Sequence, residues 1–246
     1  MKKIKWFQLI LIVILTSGLS FSQVYFKAGG GYNLDFNSIN IGNDVTSSSG
    51  EEYSYEAVNG SFGKGPNLAG AVGYNFSSYL AGELGVVYKL SSEFEENYKF
   101  GTATQTNTVK GSFLGFSPTL VVNVPLENVK PFMKLGLLIA LPTTEYESVT
   151  SNNDTETGTF GGGVDFGLTG GAGILVPINN QFNFFVELDF VSLTWKPDEI
   201  EVTDSDGNTE TIKFEDNWSS DDENVEGPVF LPFSNIGLNV GIQVGI

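Results

Sequence analysis

The last eleven residues show the pattern that recurs along the whole chain. From Ile236 to Ile246 every even position is a large aliphatic residue and every odd position is glycine, asparagine or glutamine. Because successive side chains of a strand point to opposite sides, this alternation predicts a strand with one apolar face and one small or polar face. Such a strand suits a membrane barrel with lipid outside. It also suits a soluble sandwich or barrel with the apolar face inside.

The same alternation occurs in seven earlier segments, so that the sequence predicts eight strands. The predicted strands are 23–36, 66–76, 80–90, 110–124, 129–139, 160–176, 182–190 and 236–246. The connections after the second, fourth and sixth strands have the length of hairpin turns. Those after the other strands are long and span 37–65, 91–109, 142–159 and 196–230. Short turns at one end and long loops at the other are typical of an outer-membrane barrel.

The polar face of the predicted strands carries equal numbers of bases and acids among small residues. We expect these eight side chains to point into the lumen: Lys27, Lys89, Lys130, Lys134, Glu83, Asp165, Glu187 and Asp189. An eight-stranded barrel has room inside only for side chains, so glycine and alanine must make space for the charges. Aromatic residues lie near the strand ends, as in the girdles of membrane barrels. They are Tyr32, Phe36, Tyr74, Phe76, Tyr79, Tyr88, Phe160, Phe182, Phe190, Trp195 and Phe233.

The N-terminus has the features of a secretory signal peptide. Three lysines precede an apolar run over residues 7–15, and Ser20 and Ser22 provide small residues before cleavage at Gln23. We therefore expect residues 1–22 to be removed and residues 23–246 to form one barrel domain. From residue 23 onward no apolar run reaches the roughly 20 residues of a spanning helix, so a membrane-crossing chain must be a closed barrel.

Three segments resemble the outer-membrane β-barrel family of small OmpA/OmpX-like proteins. They are Gly70–Tyr79 with its continuation to Tyr88, Val129–Gly136, and Gly171–Leu188. The resemblance implies an all-β fold, an eight-stranded antiparallel up-and-down transmembrane barrel in the outer membrane of a Gram-negative bacterium, of the Bacteroidetes type. One departure is the last residue, because family members commonly end in an aromatic residue and this chain ends in Ile246.

Composition narrows the chemistry that the chain can perform. The sequence has no histidine, cysteine or arginine, and loss of the signal peptide changes the formal net charge from −17 to −20. Nucleophilic triads are therefore impossible, and nucleic acid is not an expected partner. Glu187 and Asp189 share a strand face at roughly 7 Å and could act as acid and base. We favour the alternative that they pair with Lys130 and Lys134 in a lumen network, since buried charges need partners.

The segment 196–230 carries twelve acids against two lysines, and within it Asp204–Asn208 invites comparison with a calcium loop. An EF-hand would need glycine at the sixth position, where this chain has Thr209, so a simple turn is the preferred interpretation. We predict no catalytic, cofactor or metal residues and no enzyme activity. The expected role is structural or surface interaction by a monomer surrounded by outer-membrane lipid, whose acidic loops contact an extracellular protein or divalent cations. The alternatives are a narrow channel or carrier for small solutes and a soluble periplasmic lipocalin-like barrel.

Overall fold

The computed structural model describes residues 23–36, 39–47, 53–216 and 224–246, and the secondary-structure elements within these ranges are strands. The predicted signal peptide, residues 1–22, lies outside these ranges. The strands are β1 (Val24–Asp35), β2 (Ile39–Ser47), β3 (Tyr53–Gly60), β4 (Gly65–Asn75), β5 (Leu80–Leu90), β6 (Phe94–Phe100), β7 (Ala103–Asn123), β8 (Lys130–Thr150), β9 (Thr155–Gly161), β10 (Asp165–Pro177), β11 (Phe182–Ser192), β12 (Thr194–Trp195), β13 (Glu199–Thr203), β14 (Thr209–Phe214), β15 (Val225–Glu226), β16 (Leu231–Pro232) and β17 (Asn235–Gly245). No helix in the described ranges has the length and apolar character needed to cross a membrane.

Eight of these strands form a closed antiparallel barrel. In order around the barrel they are β1, β4, β5, β7, β8, β10, β11 and β17. The chain closes through the pairing of β1 with β17, in which Gly30 lies opposite Val240. Neighbouring barrel strands follow one another along the chain, so the predicted up-and-down fold is confirmed.

The two faces of the barrel wall are segregated as the alternation predicts. Large apolar side chains point outward, and Leu68 and Leu84 have more than two thirds of their surface exposed. On the same strands Asn67 and Glu83 point inward and are 5% exposed. Since a soluble barrel would bury the apolar face, the lipocalin-like alternative is wrong.

The long connections are not loops, in contrast to the sequence-based expectation. Strands β7 and β8 each run 21 residues, about 70 Å at the usual rise per residue, whereas the apolar band of a membrane barrel is about 25 Å tall. Beyond the barrel their extensions pair with each other from Gln105 opposite Thr150 down to the barrel rim. The predicted ends at 110 and 139 were wrong because polar, threonine-rich segments continue the ladder after the apolar alternation stops.

The extensions of β7 and β8 form the centre of an open sheet above the barrel. Its order is β3-β2-β6-β7-β8-β9-β13-β14-β15, with β6 parallel to β2 and β15 parallel to β14. All four predicted loops thus contribute strand residues to this sheet. We call it the extracellular sheet, because the long connections of membrane barrels lie outside the cell.

The sixth predicted strand, 160–176, is two strands in the structure. Gly162 and Gly163 lie between β9 and β10 with φ of 87° and 77°, a backbone conformation that side chains with a Cβ rarely adopt. The chain therefore turns here, and Phe160 belongs to the extracellular sheet while Phe166 belongs to the barrel.

Candidate functional site

The middle of the lumen holds a layer of ion pairs. Lys27 lies 3.3 Å from Glu83 and 3.5 Å from Glu187, and Lys134 forms a second, shorter pair with Glu187. Tyr25 donates its hydroxyl proton to Glu83 over 2.9 Å. Each carboxylate therefore has a positive partner, which is the condition for burying it.

A second group of paired charges lies nearer the extracellular rim. The Lys89 ammonium donates to Asn33 Oδ1 at 2.9 Å, Asn235 Oδ1 at 2.6 Å and Asp189 Oδ2 at 3.3 Å. Asn239 donates to the other oxygen of Asp189 at 2.8 Å. Lys89 uses all three of its protons in this way and is 2% exposed.

Glu187 and Asp189 are thus members of the predicted lumen network. Of the two lysines predicted to pair with them, Lys134 does so, as expected. The partner of Asp189 is Lys89, whereas Lys130 lines a cavity of about 380 Å³ at the periplasmic mouth. Asp165 is also outside the network, because it lies at the start of β10 and accepts from the backbone N–H of Lys196 at 3.0 Å. The side chains of the layer leave a cavity of about 70 Å³.

Apolar side chains close the lumen above the ion pairs. Phe233 is fully buried and its ring centre lies 5.6 Å from Phe62, 5.9 Å from Phe113 and 6.1 Å from Trp195. We call these four residues the aromatic plug. Trp195 and Phe233 were predicted to belong to an interfacial girdle, and that prediction is wrong. Their segments fold inward over the barrel mouth, whereas Tyr32, Phe76 and Tyr79 do face outward.

Two short segments hold the plug in place. The first, residues 61–64, crosses the mouth between β3 and β4 and bonds to the second, which contains Pro232 and Ser234. Ser61 donates to Ser234 O at 2.7 Å, and the backbone N–H of Phe62 donates to Pro232 O at 2.8 Å. A Cβ on Gly63 would lie 2.3 Å from Phe233 O, so only glycine fits. Phe62 lies in the segment 37–65, which was predicted to be a loop, so its role in the plug was not predicted. Glycine beside an aromatic residue in a polar segment was the available signal.

A smaller apolar layer lies below the ion pairs, at the periplasmic end. It consists of Tyr25, Ala81, Val121, Phe132, Leu175 and Phe185. Lys27 spans the boundary, with its ammonium 4.5 Å from the ring centre of Phe132 and 4.9 Å from that of Phe185. These distances are within the range of cation–π attraction. The lumen is therefore filled by charged side chains held between two apolar layers.

The outer face of the extracellular sheet is rich in threonine and glutamate. On adjacent strands it presents Thr108, Glu145, Glu147, Thr157, Thr159, Glu199, Glu201 and Thr211. Lysines are fewer, and Lys110 lies 3.6 Å from Glu145 with more than half of each side chain exposed. This surface, which we call the outer face, is polar and acidic.

The segment compared with a calcium loop is a hydrogen-bonded turn. The Asp204 carboxylate accepts from the backbone N–H groups of Asp206 and Asn208 at 2.9 and 2.8 Å, and from the Asn208 side chain at 2.9 Å. These bonds hold the pKa of Asp204 below its usual value. Across the described residues no three acidic side chains converge in a way that could hold a metal ion.

The inner face of the extracellular sheet carries two tyrosines bonded to glutamates. Tyr146 donates to Glu156 at 2.6 Å and Tyr98 donates to Glu96 at 3.2 Å. Burial, reinforced by the neighbouring carboxylate, raises the pKa of each phenol. Both tyrosines therefore stay neutral hydrogen-bond donors at physiological pH.

An apolar exterior, a lumen filled with paired charges and a sheet above the rim define an integral outer-membrane β-barrel protein. The chain belongs to the outer membrane protein beta-barrel domain family, whose pattern matches residues 9–219. No curated protein matches the sequence.

Solved structures similar to this chain include two outer-membrane proteins. OprG from Pseudomonas aeruginosa is 12% identical, with a TM-score of 0.46 over 91% of this chain and 95% of that one. Ail, the attachment invasion locus protein of Yersinia pestis, is 12% identical, with a TM-score of 0.32 over 90% and 99%. A structure of Ail in complex with the heparin analogue sucrose octasulfate is 13% identical in sequence, with a TM-score of 0.37 over 90% of this chain and 99% of that one.

Proposed function

We propose that this protein is a non-enzymatic recognition protein of the cell surface, and that the outer face binds a partner with a polar, positively charged surface. The observation that carries the proposal is the extracellular sheet itself. Strands continue past the membrane and present exposed glutamates and threonines in register, on a framework that is more rigid than a loop.

Charge supports a cationic partner. On the outer face of β6, β8 and β13 the exposed acids are Glu95, Glu145, Glu147, Glu199 and Glu201, against Lys99, Lys110 and Lys213 on the same face of the sheet. An acidic surface raises the rate at which a basic partner arrives and repels an acidic one. Threonine hydroxyls can then donate and accept hydrogen bonds at the contact.

The alternative role is a narrow channel or carrier. The cavities of about 380 Å³ at the periplasmic mouth and about 70 Å³ in the charged layer lie along the lumen axis and favour it. Against it, the aromatic plug buries Trp195 and Phe233 completely across the extracellular end. We therefore expect no steady ion conductance when the protein is inserted in planar bilayers.

The test uses the mature protein in lipid nanodiscs and fluorescent oligolysine as the probe. A variant with Glu145, Glu147 and Glu201 changed to glutamine should bind oligolysine several-fold more weakly, and the difference should shrink as salt rises. Glu127→Gln, on an exposed periplasmic turn, is the matched control and should bind as the wild type does.

Equal binding by the triple variant and the control would refute a role for the outer face. Steady conductance by the wild type would instead favour the channel. The two outcomes are independent, because one measures the extracellular surface and the other the lumen.

A further inference from the structure

A cavity of about 350 Å³ lies between the inner face of the extracellular sheet and the segment 229–232 that leads into β17. Its walls are mainly apolar and aromatic, with Phe62, Val109, Tyr146, Phe160 and Phe230 among them. The volume is within the range of small-molecule sites, which combine apolar walls with a few polar groups. The cavity lies above the aromatic plug, to which Phe62 contributes, so it is separate from the lumen.

One charged side chain lines this cavity. Glu96 is partly buried on β6, opposite Asn107 of β7. Its Oε2 accepts from the Tyr98 hydroxyl at 3.2 Å and from the Asn107 amide at 3.4 Å. Both bonds are longer than the roughly 2.5–2.9 Å of strong charge-assisted bonds.

Among the residues that the structure describes, the charge of Glu96 has no positive counterpart. Tyr98 and Asn107 are neutral, and the ion pairs formed within the described ranges do not include Glu96. A carboxylate partly withdrawn from water gains most from a cation. The site is therefore complementary to an ammonium group.

A second polar group in the cavity wall is incompletely satisfied. Thr144 is fully buried on β8, and its Oγ1 has no hydrogen-bond partner among the residues that the structure describes. Buried hydroxyls are nearly always bonded, so a lone one calls for an explanation. Rotation about its Cα–Cβ bond could bring the hydroxyl to a bound molecule.

We propose that this cavity binds a small amphipathic amine, with a ring packed against the aromatic walls and an ammonium group held by Glu96. Tyr146 and Phe160 add ring faces that attract a cation. An anionic ligand would meet Glu96 and the acidic surroundings, and a purely apolar one would leave Glu96 with neutral partners only. The proposal goes beyond recognition by the outer face, since it concerns the opposite side of the same sheet.

The test compares three indole compounds of similar shape by calorimetry. Tryptamine is cationic, tryptophol is neutral and indole-3-acetate is anionic. The protein is measured in lipid nanodiscs, because detergent tails would compete for an apolar cavity. We expect saturable binding of tryptamine, with tryptophol at least about tenfold weaker, the usual worth of a hydrogen bond to a charged group, and no binding of indole-3-acetate.

Two variants locate the site. Glu96→Gln keeps the oxygen that accepts hydrogen bonds from Tyr98 and Asn107 and removes the charge. It should therefore weaken the binding of tryptamine by about tenfold or more. Glu127→Gln is the matched control, since Glu127 is an exposed acid on a periplasmic turn outside both proposed sites, and it should leave the affinity for tryptamine unchanged. A third variant, Val109→Trp, fills the cavity and should abolish tryptamine binding. Its barrel should stay folded, so the unboiled protein should still migrate faster on a gel than the boiled protein.

Absence of tryptamine binding at millimolar concentration would overturn the proposal. Equal affinity for tryptamine and tryptophol, or equal weakening of tryptamine binding by Glu96→Gln and Glu127→Gln, would overturn it as well. Oligolysine binding to the outer face is read separately in the same nanodiscs, so failure of one proposal is distinguishable from failure of the other.

Discussion

Replacing Lys89 by methionine should cause the largest loss of stability available from a single polar side chain of the lumen. Methionine has a similar length and no charge, so the cavity that it leaves is small. It removes the cation bonded to Asp189, Asn33 and Asn235. The side-chain amides of Asn33 and Asn235 are held in place, because they donate to Gly65 O and Phe233 O at 2.9 Å. Their oxygens would therefore still point to the place where the ammonium had been.

The expected magnitude follows from burial. Lys89 is 2% exposed and the Asp189 side chain is 9% exposed, so removal of one partner leaves a buried charge without compensation. Breaking such a pair costs about 3–5 kcal/mol. The ion pair between Lys110 and Glu145 is more than half exposed, and Lys110→Met should cost less than about 1 kcal/mol.

The assay is urea unfolding in lipid vesicles, followed by tryptophan fluorescence. Trp195 lies in the plug next to the affected layer and reports on its loss. Asp189→Asn in the Lys89→Met background should recover part of the lost stability, giving a coupling of about 1–3 kcal/mol in a double-mutant cycle. A cost below about 1 kcal/mol for Lys89→Met, or no coupling, would refute the view that the network is a closed set of buried charges.

Three further predictions test other parts of the molecule. Phe233→Ala should lower the free energy of unfolding by about 3–5 kcal/mol, because a buried ring with three aromatic neighbours is removed; a loss under about 1 kcal/mol would contradict the plug. Leu135→Arg, at the middle of the part of β8 that pairs with β10 in the barrel and 61% exposed, should cost about 2–4 kcal/mol in vesicles, whereas Thr157→Arg on the outer face should cost little. The Asp204 turn should persist at neutral pH and be lost as the pH falls through the depressed pKa of Asp204, because protonation removes the charge that accepts its bonds. The amide resonance of Asn208 should report that titration, and Asp204→Ala should abolish it.

The barrel was predictable because a single physical rule governs it. A strand between lipid and a polar lumen must alternate, and the alternation from Ile236 to Ile246 recurs in seven other strands. The same rule predicted that Lys27, Lys89, Glu83 and Glu187 point inward. It could not predict which base meets which acid, because that depends on register and on how far each strand is shifted against its neighbours. Asp189 therefore meets Lys89 and not Lys130.

The extracellular sheet was not predictable by that rule, because neither of its faces lies against lipid. Threonine and glutamate alternate weakly there with asparagine, tyrosine and phenylalanine, so segments 91–109 and 142–159 read as loops. The plug was missed for a related reason. Trp195 and Phe233 lie close to strand ends, where an aromatic residue can face lipid or fold inward, and only tertiary contacts decide between them.

The division of the molecule at the barrel rim bears on what it can do. Below the rim Glu83, Glu187 and Asp189 each pair with a lysine, so these buried charges stabilise the fold and have little capacity left for a solute. Above the rim Glu96 has neutral partners only, and the outer face carries more acids than bases. Unsatisfied charge is thus concentrated on the extracellular sheet. On our proposal the closed barrel is the membrane anchor of a recognition surface, so the binding experiments on Glu96 and Glu147 test the function more directly than any change in the lumen.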